Sequence, residues 1–581
     1  MASRPRLLVG AIDFGTAFSG WAFSFKHEYE QDPTKATVKV WNAGTLTTEK
    51  TPTCILLQPD GTFDSFGYDA ENRYRGLADK NLHTEYYFFR HFKMSLFKNL
   101  GKEIKRGMEI SDEMGKQFPA KDVFAMSIKY LVDDMMVTVG QRLVGELRSH
   151  EIHWVLTVPA IWSDAAKQFM REAASQAGIE NEQLTIALEP EAASIYCRHL
   201  PVDATSKESK MTISNLPTGT KYMVLDAGGG TVDITVHEVQ DTDTLREAKA
   251  ANGGEWGGIM VDQAFKDFLR ELVGENVFET FELKETEDWL YMVRDFEAKK
   301  REIRIESERF ISMRFPVSLI ELCEQEKRMK FPDIIASTRY AEVVEVKRDK
   351  IKMSKVVFFY MFGQSIQSTI SHVKSVFNDM SLRNVNIILM VGGYSESPLL
   401  QHAVHEAFPA KKVVIPPSPS SSVLRGALIF GHKPLAVSER ILRYTYGVDI
   451  SLPFVEGTHP ESKRFSTDEG DRCRNIFESF VTKHQIVKTG KTQVKQYFET
   501  VHKYQSRMNL SFFISEETHP QYIDEAGCTK IGDIKIHLKD PDDDANRSVT
   551  VSMEFGGTEI IVDAEDEKTG DKTRVILDFL G

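Results

Sequence analysis

An α/β chain of two related lobes followed by a small β-rich module is the fold the sequence predicts, on three observations. The first is a device that occurs twice. In residues 7–20, LLVGAIDFGTAFSG, an apolar strand runs into Asp13, Gly15 and Thr16 and returns through a second strand; in residues 222–236, YMVLDAGGGTVDITV, another runs into Asp226 and three glycines and returns through Thr231 and Asp233. The second is the strand-then-helix wording of residues 155–179 and 186–196. The third is a series of strand-like segments, separated by turn residues, beyond residue 444.

The repeated device reads as strand, phosphate-binding turn, strand. Glycine lets the backbone approach an anion and adopt positive φ, and flanking carboxylates suit a hydrated divalent cation, with Asp226 and Asp233 the first candidates. Three glycines between two strands also occur in plain hairpins. The second copy favours the phosphate reading, since two half-domains that each offer an Asp-Gly-Thr hairpin to one cleft can grip β- and γ-phosphates from both sides.

Each further element has its own signal in chain order. Residues 37–41, 53–57 and 62–66, set between Gly, Pro and Asp-Gly turns, read as more strands of the first sheet. Residues 86–97, YYFFRHFKMSLF, are aromatic and basic, and as an amphipathic helix would leave Lys93 solvated. Residues 122–147 have the apolar spacing of a core helix. A buried strand at 153–159 precedes Ser163 or Asp164, either of which caps the helix 165–177 that ends at Gly178. Glu189 closes the strand 184–188 just before Pro190 opens a helix, where carboxylates meet ligands. Residues 201–220, rich in Ser, Thr, Lys and Pro, read as a solvated loop.

Residues 252–258, NGGEWGG, form another glycine turn into the helix 259–273. The charged stretch 285–309 is helical, with Glu297, Lys300 and Arg301 on one face, although most such runs are salt-bridged solvent faces. A long helix at 350–379 and a strand at 386–391 lead to a third glycine turn, Gly392, Gly393 and Tyr394. Residues 431–440 mark a boundary, and the segments 444–450, 507–514, 533–538, 548–555, 558–564 and 573–579 imply a β-sandwich. The units are therefore 1–200, 201–436 and 437–581.

Composition narrows the function. A chain of 581 residues needs two to four cores, and 41% hydrophobic with 27% charged residues is ordinary for a globular protein. No apolar run approaches bilayer-spanning length, and the N-terminus enters a strand without a signal-peptide core. Five scattered cysteines without a C-x-x-C pair suggest neither disulfides nor zinc, which fits reducing cytosol or nucleus. A net charge of −13 argues against nucleic acid as a partner.

The three glycine turns, with VLTVPAIWSDAAKQFMREAASQAGI and IALEPEAASIY, resemble the actin-like ATPase domain of the seventy-kilodalton heat-shock chaperones, a ribonuclease H-like fold of two duplicated lobes. The LEPEAASIYC wording and the FKMSL segment around Lys93 are similar to the divergent heat shock 70 kDa protein 12 branch. The resemblance covers nearly the whole chain, with five motifs in the family's order.

The resemblance implies ATP or ADP in the cleft with Mg²⁺. Asp13, Glu189, Asp226 and Asp233 would serve the hydrated ion; Gly15, Thr16, Ala17, Gly228, Gly229, Gly230 and Thr231 would cradle phosphates, with Gly257 and Gly258 beside them. Lys93, Glu189, Asp226 and Thr231 would form the catalytic set for water attack on the γ-phosphate. Glu297, Lys300, Arg301, Gly392, Gly393 and Tyr394 would hold the adenosine, and Asp164 would lie near the cleft unless it is only a helix cap. The β module would take unfolded or regulatory polypeptides.

This chain departs from the family's pattern in having Glu396 for an arginine beside the adenine, Ser420 for an aspartate, and Ala17 for the second threonine of the first phosphate loop. Only Leu435, Ala436 and Val437 offer an apolar patch where the family has a leucine-rich linker, and neither a lid helix nor an acidic tail follows. The expectation is slow Mg-dependent hydrolysis coupled weakly to polypeptide binding. A nucleotide-binding scaffold with little turnover is the alternative, and a small-molecule kinase on the same fold a third; the oligomeric state stays open.

Overall fold

Two sheets of matching internal order carry the two hairpins. The computed structural model describes residues 6–580 except 44–45, 99–103, 144, 146, 201–212, 214–215, 242–243, 468–469, 492–493, 501–503, 539–546 and 578. In the first sheet Leu8–Phe14 pairs antiparallel with Phe18–Phe25 and parallel with Ile152–Val158, which lies parallel to Leu184–Leu188. In the second, Lys221–Ala227 pairs antiparallel with Val232–Val239 and parallel with Ile387–Val391, which lies parallel to Lys412–Val414. Thr37–Val38 continues the first sheet beyond its hairpin, and Leu245–Gly254 continues the second. The inner strands are buried along their whole length and mostly apolar because helices cover both faces.

In each half an outer parallel strand leads into a helix, Glu189–Cys197 or Pro419–His432, and these two helices cross between the sheets. They meet so closely that a Cβ on Gly426 would collide with the carbonyl of Ala192. Small residues here (Ala192, Ala193, Ala427), with Val9 and Ala11 of the first sheet and Val224 and Leu389 of the second, form a core shared by both lobes. Each lobe also has its own core on its outer face. Every Val, Leu or Phe fully buried there contributes about 1.5–3 kcal/mol, which holds the hairpin register rigid.

Several elements differ from the sequence expectation. Residues 86–97 are not a helix: Tyr87–Arg90 is a strand paired with Cys54–Leu57, and two short helical turns, Phe92–Met94 and Ser95–Lys98, follow. The aromatic run satisfies a sheet face, and Lys93 is 1% exposed rather than solvated. The segment 350–379 is divided into a strand, Lys350–Ser354, and a helix, Lys355–Phe377, because Ser354 caps the helix by accepting from the Val356 N–H. The charged helix is shorter than 285–309, running Thr286–Glu302. The loop read at 201–220 falls largely outside the described residues.

Residues 431–440 are also more than a connector. Val437–Ile441 adds a parallel strand to Leu245–Gly254 and pairs antiparallel with Ile486–Lys488. Of the short apolar patch, Leu435 is 55% exposed, whereas Ala436 and Val437 are buried. Beyond it lie two antiparallel sheets. One runs in the order Arg464–Thr467, Gly470–Val481, Thr445–Pro453, Arg507–Ser515, Cys528–His537; the other runs Val494–Glu499, Ser548–Glu554, Ile561–Asp566, Lys572–Ile576. Val448, Phe480 and Phe512 of the first share a core with Val549, Val551 and Val562 of the second.

Candidate functional site

The two hairpins put Asp13 and Asp226 at equivalent places. Each is the penultimate residue of its first strand, and each has a parallel neighbour, Thr157 beside Asp13 and Val391 beside Asp226. The turns touch across the cleft: a Cβ on Gly229 would lie 2.6 Å from Cβ of Ala17, and one on Gly230 would lie 2.7 Å from Oγ1 of Thr16. Alanine at 17 therefore permits a close approach that a larger residue would obstruct. Thr53 fixes the first turn, its N–H donating to the Ala17 carbonyl at 2.9 Å and its hydroxyl to that of Gly15 at 2.7 Å.

The second turn is fixed by the start of the helix Ile259–Val273. The N–H groups of Gly257, Gly258 and Ile259 donate to the carbonyls of Gly230, Gly228 and Gly229 at 3.2, 3.2 and 2.8 Å. Gly257 and Gly258 thus pack under the glycine turn, and a Cβ on Gly257 would crowd the Gly229 carbonyl.

Carboxylates and ammonium groups alternate around these turns. Asp13 accepts from Lys50 Nζ at 2.6 Å and from the Thr157 hydroxyl at 3.0 Å. Glu189 accepts from Lys93 Nζ at 2.7 Å, and that ammonium also lies 5.0 Å from the centre of the Trp162 ring. Asp233 accepts from the Thr231 hydroxyl at 2.8 Å and the Ile161 N–H at 3.0 Å. Asp226 differs: its Oδ2 is buried with no partner among the described residues. Burial, then the charges of Glu189, Asp233 and Asp13, hold the Asp226 carboxyl well above the ordinary range. Burial also pushes Glu189 up to about 7, against the pull of Lys93.

This donor set fits a cation in one respect and limits its coordination in another. An orphaned carboxylate oxygen crowded by three acidic neighbours is what an added positive charge would relieve. Among the described residues, no three acidic, His or Cys side chains converge as a metal cage. The residues therefore suit a divalent ion whose shell is completed by water and phosphate oxygens.

Beside the second turn, Lys300 Nζ contacts Asp262 at 2.6 Å and pairs with Glu297, which also accepts from Arg301 Nε at 2.8 Å. The Arg301 guanidinium lies 4.7 Å from the centre of the Phe18 ring, just after the first turn. Gly392 has φ of 85°, a conformation that favours glycine, and its missing Cβ leaves room for the Asp226 carboxylate. Tyr394 follows, its ring 3.6 Å from where a Cβ on Gly258 would stand and its hydroxyl accepting from Ser365 at 3.1 Å. Ser420 donates to Glu396.

The predicted residues thus gather around the paired turns, with one exception. Ser163, not Asp164, caps its helix, and Asp164 accepts from Lys167 at 3.0 Å and from Tyr446 of the C-terminal module at 3.4 Å. Sequence reasoning missed Lys50 and Asp262. Lys50 stands in EKTPT between two short strands and Asp262 on an amphipathic helix, neither with a spacing signal.

Comparison with known proteins agrees with the motif reading. The family model described as Hsp70 protein matches residues 87–578. Human heat shock 70 kDa protein 12A is 32% identical over 99% of this chain and 92% of its own length, and human heat shock 70 kDa protein 12B is 32% identical over 99% and 91%. Chaperone protein DnaK of Thermosipho melanesiensis is 25% identical over 56% of this chain and 48% of its own length.

Proposed function

The chain belongs to the Hsp70 protein family, which has the actin-like ATPase α/β fold, and we propose on that basis that it is an ATP-binding, chaperone-like protein. In this reading lobes 1–200 and 201–436 close on the nucleotide, and 437–581 is a β-sandwich that takes polypeptide. The observation that carries it is the buried, unpartnered Asp226 oxygen facing three other carboxylates where two glycine turns meet. A protein without a cationic or polyphosphate ligand would gain nothing from that arrangement, since each unpaired buried polar group costs about 1–3 kcal/mol.

Within this reading Gly15, Thr16 and Ala17 on one side and Gly228, Gly229, Gly230 and Thr231 on the other cradle the phosphates. Asp13, Glu189, Asp226 and Asp233 face the Mg²⁺ site, where the ion when bound neutralises phosphate charge and orients it. Lys93, held by Glu189 and Trp162, presents fixed positive charge toward the γ-phosphate without reorganising during reaction. Asp226 accepts a hydrogen bond from the attacking water, and Thr231 lies within reach of the same phosphate. Glu297, Lys300, Arg301, Gly392, Gly393 and Tyr394 bound the nucleoside.

A scaffold that binds nucleotide with little turnover is the second reading, favoured by one observation. The Thr231 hydroxyl is already donated to Asp233 and must be released to meet a phosphate. Calorimetric titration with ATP, ADP, GTP and triphosphate, with thermal melting, tests the primary claim. ATP at one hundred times its Kd stabilises the fold by about 2.7 kcal/mol, and Asp13→Asn or Gly229→Asp removes the shift. No response to any nucleotide, or an undiminished shift in both variants, overturns the site. Steady-state phosphate release then separates slow hydrolysis from a scaffold.

A further inference from the structure

Two ammonium groups enter the cleft, and they are built differently. Lys93 is enclosed, bonded to Glu189 and covered by the Trp162 ring. Lys50 comes from the segment before the short strand Thr51–Pro52, which pairs with Phe18–Phe25, and it reaches Asp13 Oδ2 at 2.6 Å with 15% of its side chain still exposed. Asp13 is the acidic group it meets directly, and the charges of Glu189 and Asp226 also act on it. Lys50 thus stands among the acidic groups that also make up the candidate metal site. Asp13 is shared, since its other oxygen accepts from Thr157.

We propose that the Lys50 ammonium is a resident cation of the phosphate cleft, supplying among Asp13, Glu189 and Asp226 part of the positive charge that a divalent ion supplies, so that this chain holds a nucleoside triphosphate without Mg²⁺. The inference rests on the nucleotide reading of the cleft. A lysine is a compact point charge on a flexible stem, able to turn from a carboxylate to a phosphate oxygen as the ligand enters. Its loss leaves the carboxylates of Asp13, Glu189, Asp226 and Asp233 facing the polyphosphate while Lys93 is already paired with Glu189. The divalent ion then becomes indispensable for binding, whereas with Lys50 present it is an addition.

The experiment is equilibrium binding of ATP to the full chain, in excess Mg²⁺ and in EDTA, for wild type, Lys50→Met and Lys50→Arg. Removing Mg²⁺ should weaken ATP binding less than tenfold in wild type and Lys50→Arg, and more than a hundredfold in Lys50→Met, whose affinity in Mg²⁺ stays within about tenfold of wild type. Because Lys50→Met leaves Asp13 buried with only the Thr157 hydroxyl to meet it, Lys50→Gln, whose neutral amide can still donate to Asp13, serves as a second variant if the first does not fold, with the same dependence expected. A Lys50 that only anchors its loop would lower the melting temperature of Lys50→Met while leaving the chelation factor at the wild-type value, which overturns the proposal. A hundredfold loss in wild type on chelation overturns it as well. Wild type that binds ATP in neither condition removes the nucleotide reading and this inference together; wild type that binds in Mg²⁺ while the variants respond to chelation as it does removes only the inference.

Discussion

Glu396 and Ser420, the two positions at which the proposed nucleoside side departs from the family's pattern, are hydrogen-bonded to each other, the serine hydroxyl donating to the carboxylate. Where the pattern sets an arginine at one position and an aspartate at the other, this chain sets an acid and a neutral donor, which meet each other. The change reaches Arg301. Burial would lower its proton affinity, but Glu297 first and Glu396 among further charges hold it above the ordinary arginine. Arg301 thus pairs with Glu297 and also feels the charge of Glu396.

It follows that Glu396→Arg alone does little for ATP, because it brings a like charge toward Arg301 and strands Ser420. The pair Glu396→Arg/Ser420→Asp restores both partners, and a planar cation on the adenine contributes about 0.5–2 kcal/mol. We expect the double variant to tighten ATP by roughly tenfold with inorganic triphosphate unchanged. Titration of both ligands decides it; equal gains for the two would place residue 396 against the phosphates rather than the base.

Lys93 and Thr231 are expected to act on turnover more than on binding. In the proposed site Lys93→Met removes the fixed charge offered to a γ-phosphate and leaves Glu189, already pushed up to about 7, to take a proton. Thr231→Ala removes a hydroxyl that now satisfies Asp233. Each should lower the single-turnover rate by roughly 10²–10⁴ with ATP affinity within about tenfold. Phosphate release at wild-type rates in both variants would remove them from the reaction.

Glu247 gives a dependence on pH. It lies in the strand Leu245–Gly254, accepts from the Ile441 N–H at 3.0 Å, and is pushed up to about 7 by burial first and then by Glu191. Its folded value exceeds that of an exposed glutamate, so folding favours the protonated form. The stability this contributes is fully present below about pH 4.5 and is lost as pH rises to about 7, amounting to up to roughly 3 kcal/mol. Glu247→Gln keeps an acceptor for Ile441 and removes the buried charge. Denaturant melts at pH 5 and pH 7.5 should show a smaller fall in stability for the variant than for wild type; the same fall in both would assign the trend to other groups.

The elements legible from sequence were those whose signal is local. Asp13 and Asp226 stand out because an apolar strand, an acidic residue and glycines occur in that order twice, and the register that makes them equivalent follows from each hairpin's own wording. Lys50 and Arg440 were not legible, since each acquires its meaning from a partner far along the chain, Asp13 in one case and Glu191 in the other. The segment 86–97 misled because aromatic residues at helical spacing also satisfy the buried face of a short strand.

Arg440 carries the last prediction, on coupling between the lobes and the C-terminal module. From the strand Val437–Ile441 it donates to Glu191 through Nε at 2.8 Å and through Nη2, and to the Gly556 carbonyl at 2.8 Å, all of it buried. Glu191 lies two residues beyond Glu189 on the helix Glu189–Cys197, so one helix start meets both the cleft and the module. Arg443 donating to the Ile161 carbonyl and Thr558 to that of Ile186 fasten the same face. A nucleotide can shift polypeptide affinity only by as much as it changes this docking, and breaking a buried ion pair costs about 3–5 kcal/mol. Such a seam resists release, which argues for weak coupling: polypeptide affinity in ATP and in ADP should differ by less than tenfold, or about 1.4 kcal/mol. Arg440→Met should expose residues 433–444 to proteolysis, and Arg440→Met/Glu191→Met should recover most of the lost stability. A tenfold or larger difference between nucleotide states in wild type, abolished by Arg440→Met, would show instead that this ion pair is the transmitter.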